Sequence, residues 1–166
     1  MFLTQKILFN KEECDRIINL VKKNLQNWNL TDRNYKSETL NYHNNTKWIF
    51  DKLIDYFISE TNIQIISIKK QIHFHKFIKG NWFDKHNDIR DNRVYAIGVL
   101  LNDNFEGGDF ILYDDNKIIL QKEIGNAYIF DVEIEHEISK IISGERYSLL
   151  WFLQDEHIKL KTKNLI

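Results

Sequence analysis

Residues 110–132 read FILYDDNKIILQKEIGNAYIFDV, and their grammar decides the fold. Phe110–Tyr113, Ile118–Leu120 and Ala127–Val132 are short runs rich in β-branched and aromatic residues. Asp114-Asp115-Asn116 and Gly125-Asn126 stand between them as turn chemistry. The pattern extends both ways. Upstream lie Ile63–Lys69, Ile72–Ile78 and Val94–Leu101, punctuated by Lys79-Gly80-Asn81, Asp103-Asn104 and Gly107-Gly108. Downstream, Ile138–Ile142 and Tyr147–Leu153 flank Ser143-Gly144. This density of short strands predicts a sandwich or barrel.

Before residue 63 the period changes to that of helices. Asn10 is a plausible N-cap, with Glu12 and Glu13 in the positive first turn. Cys14, Ile17, Ile18, Val21 and Leu25 then form one apolar stripe, predicting a helix over 11–25. Cys14 lies on that stripe and reads as core. A second helix over about 46–60 carries Trp48, Ile49, Leu53, Tyr56 and Phe57 on one face. Between them, Asn29 to Asn45 is polar and aperiodic, and is expected to be a connecting loop or a lid. The expectation is one domain over 1–166, mostly β, with helical support in 1–60 and a β core in 63–154.

Composition sets the outer limits. The 166 residues include no proline, which excludes polyproline linkers and cis-proline turns. Twenty-five Ile, 18 Asn and 18 Lys against five Arg point to A/T-rich coding as the cause. A net charge of −1 without a basic stripe argues against a nucleic-acid partner. The one cysteine suggests a reducing compartment. Met1 to Asn10 lacks the apolar region of a secretory signal, and Val94–Leu101 is too short to span a membrane. A soluble, cytoplasmic protein with no membrane partner is the expectation, and the oligomeric state is left open.

Chemistry concentrates in the second half. His86-Asn87-Asp88 places an imidazole and a carboxylate on the same side of extended chain, and His136 follows fifty residues later. Two imidazoles and one carboxylate can occupy one face of an octahedral Fe(II), leaving three positions open. If Ser143-Gly144 closes a two-residue hairpin, Ile142 pairs Glu145 and Arg146 faces Ile141. That register puts Arg146 roughly 16 Å along the strand from His136. A guanidinium fork there would hold the far carboxylate of a small dicarboxylate reaching to the metal.

These residues resemble the Fe(II)- and 2-oxoglutarate-dependent dioxygenases, in particular the prolyl 4-hydroxylase-like branch. The likeness runs through Phe77-x-x-Gly80-x-x-Phe83-x-x-His86-x-Asp88 and through Arg93 followed by Leu100-Leu101-Asn102. It continues in Phe105-Glu106-Gly107-Gly108-Asp109-Phe110, in Gly125 to Phe130 before His136, and in Gly144-Glu145-Arg146-Tyr147-Ser148. The resemblance implies a double-stranded β-helix (jelly-roll) core supported by two or so helices. It implies Fe(II) on His86, Asp88 and His136, with 2-oxoglutarate chelated to it and held at its far end by Arg146. It further implies O2 as oxidant, succinate and CO2 as co-products, ascorbate as a reductant, and hydroxylation of an unactivated C–H bond. The branch points to a prolyl residue in a peptide or protein partner; this proline-free chain cannot be its own substrate.

The chain also departs from the family's pattern. Phe77, Phe83 and Leu100 stand where tyrosines are frequent, and Leu150 where some members have threonine. Arg146 then carries more of the cosubstrate recognition. His75, on the strand face of Phe77, either supplies a replacement hydrogen bond or packs as a core histidine. Alternation places Arg146, Ser148, Leu150 and Phe152 on one face, so Phe152 is expected to line the pocket and Trp151 to point away. Trp82, Asp84, Lys85, Arg90 and Asp91 are candidates for the rim. The alternatives are a hydroxylase of another amino acid or small molecule, a non-catalytic jelly-roll metal-binding module, and a Zn hydrolase. An open triad argues against the structural module. The Zn hydrolase leaves Arg146 without a role and lacks a general base.

Overall fold

Every strand pairing in the computed structural model, which describes residues 2–23 and 35–160, is antiparallel. The chain opens with β1 (Phe2–Ile7), α1 (Lys11–Lys23), β2 (Lys36–Asn41) and α2 (Lys47–Thr61). There follow β3 (Ile63–Ile65), β4 (Gln71–Ile78), β5 (Phe83–His86), β6 (Arg93–Leu100), β7 (Glu106–Gly107) and β8 (Phe110–Tyr113). The last elements are β9 (Lys117–Ile119), β10 (Asn126–Asp131), β11 (Glu135–Ile138), β12 (Ile141–Ser143), β13 (Glu145–Gln154) and β14 (Ile158–Leu160). A major sheet runs β1-β10-β6-β13-β4-β2, and a minor sheet runs β5-β11-β8-β9. The two form a jelly roll with the helices on the outer face of the major sheet.

The near-continuous apolar runs arise because the central strands of the major sheet are covered on both faces. On β13, Tyr147, Leu149, Trp151 and Leu153 pack toward the helices, whereas Phe152 and Leu150 face the barrel interior. On β10, Ala127 and Ile129 take the helix side, and Tyr128 and Phe130 the interior. The helix-side core takes in Ile17 and Val21 of α1 and Ile49, Phe50, Leu53 and Phe57 of α2.

Asn10 caps α1 as expected, in a reciprocal capping box. Its Oδ1 accepts from Glu13 N–H at 2.9 Å, and Glu13 Oε2 accepts from Asn10 N–H at 3.0 Å. Lys52 of α2 then donates to Glu13 at 2.6 Å, tying the helices together. Cys14 is buried on the apolar stripe, where burial pushes its thiol up to about 12.

Four expectations are corrected. The first third is not purely helical, because β1 pairs with β10. The polar segment 29–45 is not a loop throughout: residues 36–41 form β2 against β4, while 29–34, like the predicted helix end at 24–25, lie outside the described residues. Ile138–Ile142 is two strands in different sheets, β11 against β8 and β5, and β12 against β7. Consequently Ile142 does not pair Glu145. β12 turns away at Gly144 (φ 79°), and Arg146 lies opposite Phe77 of β4 rather than Ile141. A long central strand flanked by β4 and β6 outcompetes the short local hairpin.

Candidate active site

His86 ends β5, Asp88 lies two residues beyond it, and His136 sits on β11 directly opposite His86 in register. The fold thus brings the three predicted metal ligands together, their donor atoms all within 4.8 Å of one another. His136 and Asp88 are buried, and His86 is half-buried at the mouth. His86 Nδ1 lies 2.7 Å from the Asp84 carbonyl and His136 Nδ1 lies 3.0 Å from the Ile134 carbonyl. A carbonyl accepts only, so both Nδ1 atoms carry the proton and both Nε2 atoms present a lone pair. His136 Nε2 faces Asp88 Oδ2 at 3.3 Å.

Asp88 is held from two sides. Its N–H donates to the Val132 carbonyl at 3.0 Å, and Arg93 Nη1 approaches Oδ1 at 3.4 Å. Oδ2 is buried without a hydrogen-bond partner. Burial works to raise the Asp88 pKa, but His136, His86 and Arg93 together hold it below the usual carboxylate value. Two imidazole lone pairs and an orphaned carboxylate oxygen converging on one point are the donor set of a divalent cation. The residues present therefore fit the metal. Phe83, Phe110 and Phe130 pack around the two imidazoles and fix their planes.

A cavity of about 330 Å³ opens beside the triad, lined by His86, Asp88, His73, His75, Leu150 and Phe152 among others. Tyr35, Ser37, Phe83, Asn87 and Arg90 complete it. Phe152 lies on the cavity side of β13 and Trp151 on the helix side. The Arg93 guanidinium also stacks on the Phe152 ring at 3.7 Å. Trp82 and Asp84 border a separate shallow surface depression.

Arg146 occupies the other end of the barrel. It is 1% exposed, lies 5.6 Å over the Phe77 ring, and donates from Nη1 to Ser148 Oγ at 2.7 Å. Its Nε is buried without a partner, and among the described residues no carboxylate comes within 4.0 Å of it. Asp109, which borders the same small space, is instead paired with Lys122 at 2.8 Å. Burial pushes the Arg146 pKa down. A buried cation with no counter-charge is costly, and the arrangement suits an anion supplied from outside. The space beside it holds about 10 Å³, so a carboxylate there takes the place of the Ser148 contact rather than filling a void. Gly108 (φ 65°) gives the side chain its passage: a Cβ there would lie 3.2 Å from Arg146 Cδ.

The structure thus places Phe77 and Leu100 beside the buried Arg146, and His75 and Phe152 in the cavity next to the triad. Sequence reasoning missed Tyr128, which borders the same small space as Arg146, and the contact of Arg93 with Asp88. The signal for Tyr128 was available: on a strand covered on both faces, a tyrosine among alanine, isoleucine and phenylalanine needs a partner for its hydroxyl.

A jelly roll with a facial two-histidine, one-carboxylate set and a buried arginine opposite defines a class of non-haem iron oxygenases. The model of the 2OG-Fe(II) oxygenase superfamily matches residues 72–154, and the chain belongs to that family. Membership implies Fe(II), 2-oxoglutarate and O2. Among solved structures, a Pseudomonas putida prolyl-4-hydroxylase is similar with a TM-score of 0.73 at 16% identity, covering 91% of each chain. A Trichoplax adhaerens prolyl hydroxylase in complex with a hypoxia inducible factor peptide fragment gives 0.72 at 18% identity, covering 93% of this chain and 84% of that one. The viral collagen prolyl hydroxylase of Paramecium Bursaria Chlorella virus-1, as its 2-oxoglutarate complex, gives 0.70 at 19%, covering 91% and 94%. At these identities the likeness establishes the fold. No curated protein sequence matches the chain. No helix among the described residues is long and apolar enough to cross a membrane.

Proposed function

We propose that this protein, acting as one catalytic domain, hydroxylates a prolyl residue in a peptide or protein partner. The observation that carries the reading is the open cavity of about 330 Å³ at the triad, walled by Phe83, Phe152 and Leu150, on the fold of prolyl hydroxylases. His86 Nε2, His136 Nε2 and an Asp88 oxygen hold Fe(II), and the backbone carbonyls of Asp84 and Ile134 keep both histidines in the ligating tautomer. Arg146 binds the distal carboxylate of 2-oxoglutarate, with Phe77 and Leu100 as the apolar walls that exclude water from the pair. Bound Fe(II) with 2-oxoglutarate and O2 supplies the oxidising chemistry: one oxygen atom goes to succinate as CO2 leaves, and the other enters the substrate C–H bond. Phe152 and His75 face the substrate side, and Arg93 steadies Asp88. Ascorbate keeps the iron reduced.

Polar lining by His73, His75, Ser37 and Arg90 favours a second reading, a hydroxylase of another amino acid or of a small polar molecule. Mass spectrometry of candidate peptides incubated with the Fe(II)-loaded protein and 2-oxoglutarate separates the two. A +16 shift on proline supports the first reading, and a shift confined to another residue or to a free metabolite replaces it with the second. Anaerobic Fe(II) plus 2-oxoglutarate should give a visible charge-transfer band. Its absence, together with no succinate from any substrate despite full iron loading, would return the protein to a non-catalytic metal-binding role.

A further inference from the structure

Tyr128 is 3% exposed in the middle of β10, pointing into the barrel at a position where a phenylalanine would bury the same ring without a polar atom. Its place is specified twice. Opposite it in register on β6 stands Gly98, and a Cβ there would lie 2.1 Å from the Tyr128 ring. On its other side the ring packs on Phe110, centroid to centroid 4.8 Å. Ring and glycine together direct the hydroxyl toward the Arg146 guanidinium, and both residues border the same small space with Leu100 and Gly108.

A guanidinium has donors only. Toward Arg146, the tyrosine oxygen can act only as an acceptor, which leaves its own proton to be donated elsewhere. Ser148 Oγ accepts from Arg146 Nη1 and is left in the same condition. Arg146 Nε–H has no acceptor at all. Burial keeps the Tyr128 hydroxyl protonated. The flanking inward positions, Phe77 and Leu100, offer no hydrogen-bonding group. Tyr128 O–H, Ser148 Oγ–H and Arg146 Nε–H are thus three donors about one guanidinium, with Phe77 and Leu100 offering them no acceptor.

Building on the 2-oxoglutarate reading above, we infer that Tyr128 donates its hydroxyl proton to the distal carboxylate of the cosubstrate, beside Arg146. Tyr128 thereby makes the site selective for a 2-oxo diacid over a 2-oxo monoacid. The test titrates anaerobic Fe(II)-loaded wild type and Tyr128→Phe with 2-oxoglutarate and with 2-oxopentanoate, which keeps the chelating end and lacks the distal carboxylate. Charge-transfer absorption and calorimetry report the two Kd values. In Tyr128→Phe the Kd for 2-oxoglutarate should rise about tenfold, the effect of one hydrogen bond to a charged group. The Kd for 2-oxopentanoate should stay within about twofold of wild type, since the contact at stake involves only the missing carboxylate. An unchanged 2-oxoglutarate Kd overturns the assignment. So does an equal loss for both ligands, which marks the tyrosine as structural. A wild type that carries Fe(II) but binds no 2-oxo acid instead removes the reading on which the assignment rests.

Discussion

The two ends of the barrel solve different problems. At the metal end, each ligand is fixed by a second contact: Asp84 O behind His86, Ile134 O behind His136, and Arg93 with Val132 O behind Asp88. At the arginine end, Arg146 meets only neutral partners, Ser148 and Tyr128, and lies among Phe77, Leu100 and Phe110. A metal ion demands fixed donor geometry, so its ligands need rigid support. A buried guanidinium attracts a carboxylate through charge in a low dielectric, and apolar walls strengthen that attraction. On the proposed reading, the arginine end therefore tolerates Phe77 and Leu100, whereas the triad keeps every donor.

The contrast can be broken most severely at the triad. His86→Ala or Asp88→Ala should weaken Fe(II) binding by more than about 100-fold, removing the charge-transfer band and succinate formation. Metal content after dialysis measures this. Arg146→Ala should raise the Kd for 2-oxoglutarate by about 100-fold or more while Fe(II) content stays at the wild-type level. If metal is lost as well, the two ends are not independent. Arg93→Met should reduce Fe(II) affinity by about tenfold through the loosened Asp88, with 2-oxoglutarate affinity per bound iron unaltered. Smallest is Asn10→Ala, which removes the α1 cap. It should cost about 1 kcal/mol, a few degrees in thermal unfolding, and leave both affinities as they are.

The metal end was readable in the sequence because its residue types and spacing are themselves the chemistry. His86, Asp88 and His136 need only a strand and its facing neighbour to converge. Two of the missed strands share a physical cause. β1 and β2 are the two edges of the major sheet, where one flank is uncovered and polar residues are tolerated. Residues 36–41 (KSETLN) accordingly bury only Leu40 and show no alternation. The Ser143-Gly144 hairpin failed for another reason. Local turn chemistry reports where a chain reverses, not which strand each arm joins: β12 pairs with β7, and β13 with β4 and β6. The inward face of β13 was readable because period-two alternation survives whichever strands flank it.

One arrangement bears on how the protein acquires its iron. β5, which carries His86, is a four-residue edge strand of the minor sheet, whereas β13, which carries Arg146, is ten residues long and bonded on both sides in the major sheet. Local opening free energy follows such differences in backbone coverage. The strand that carries His86 should thus open more readily than the strand that carries Arg146. Hydrogen exchange in the metal-free protein should show the amides of 83–86 exchanging well before those of 147–153. Iron should be loaded and released without global unfolding.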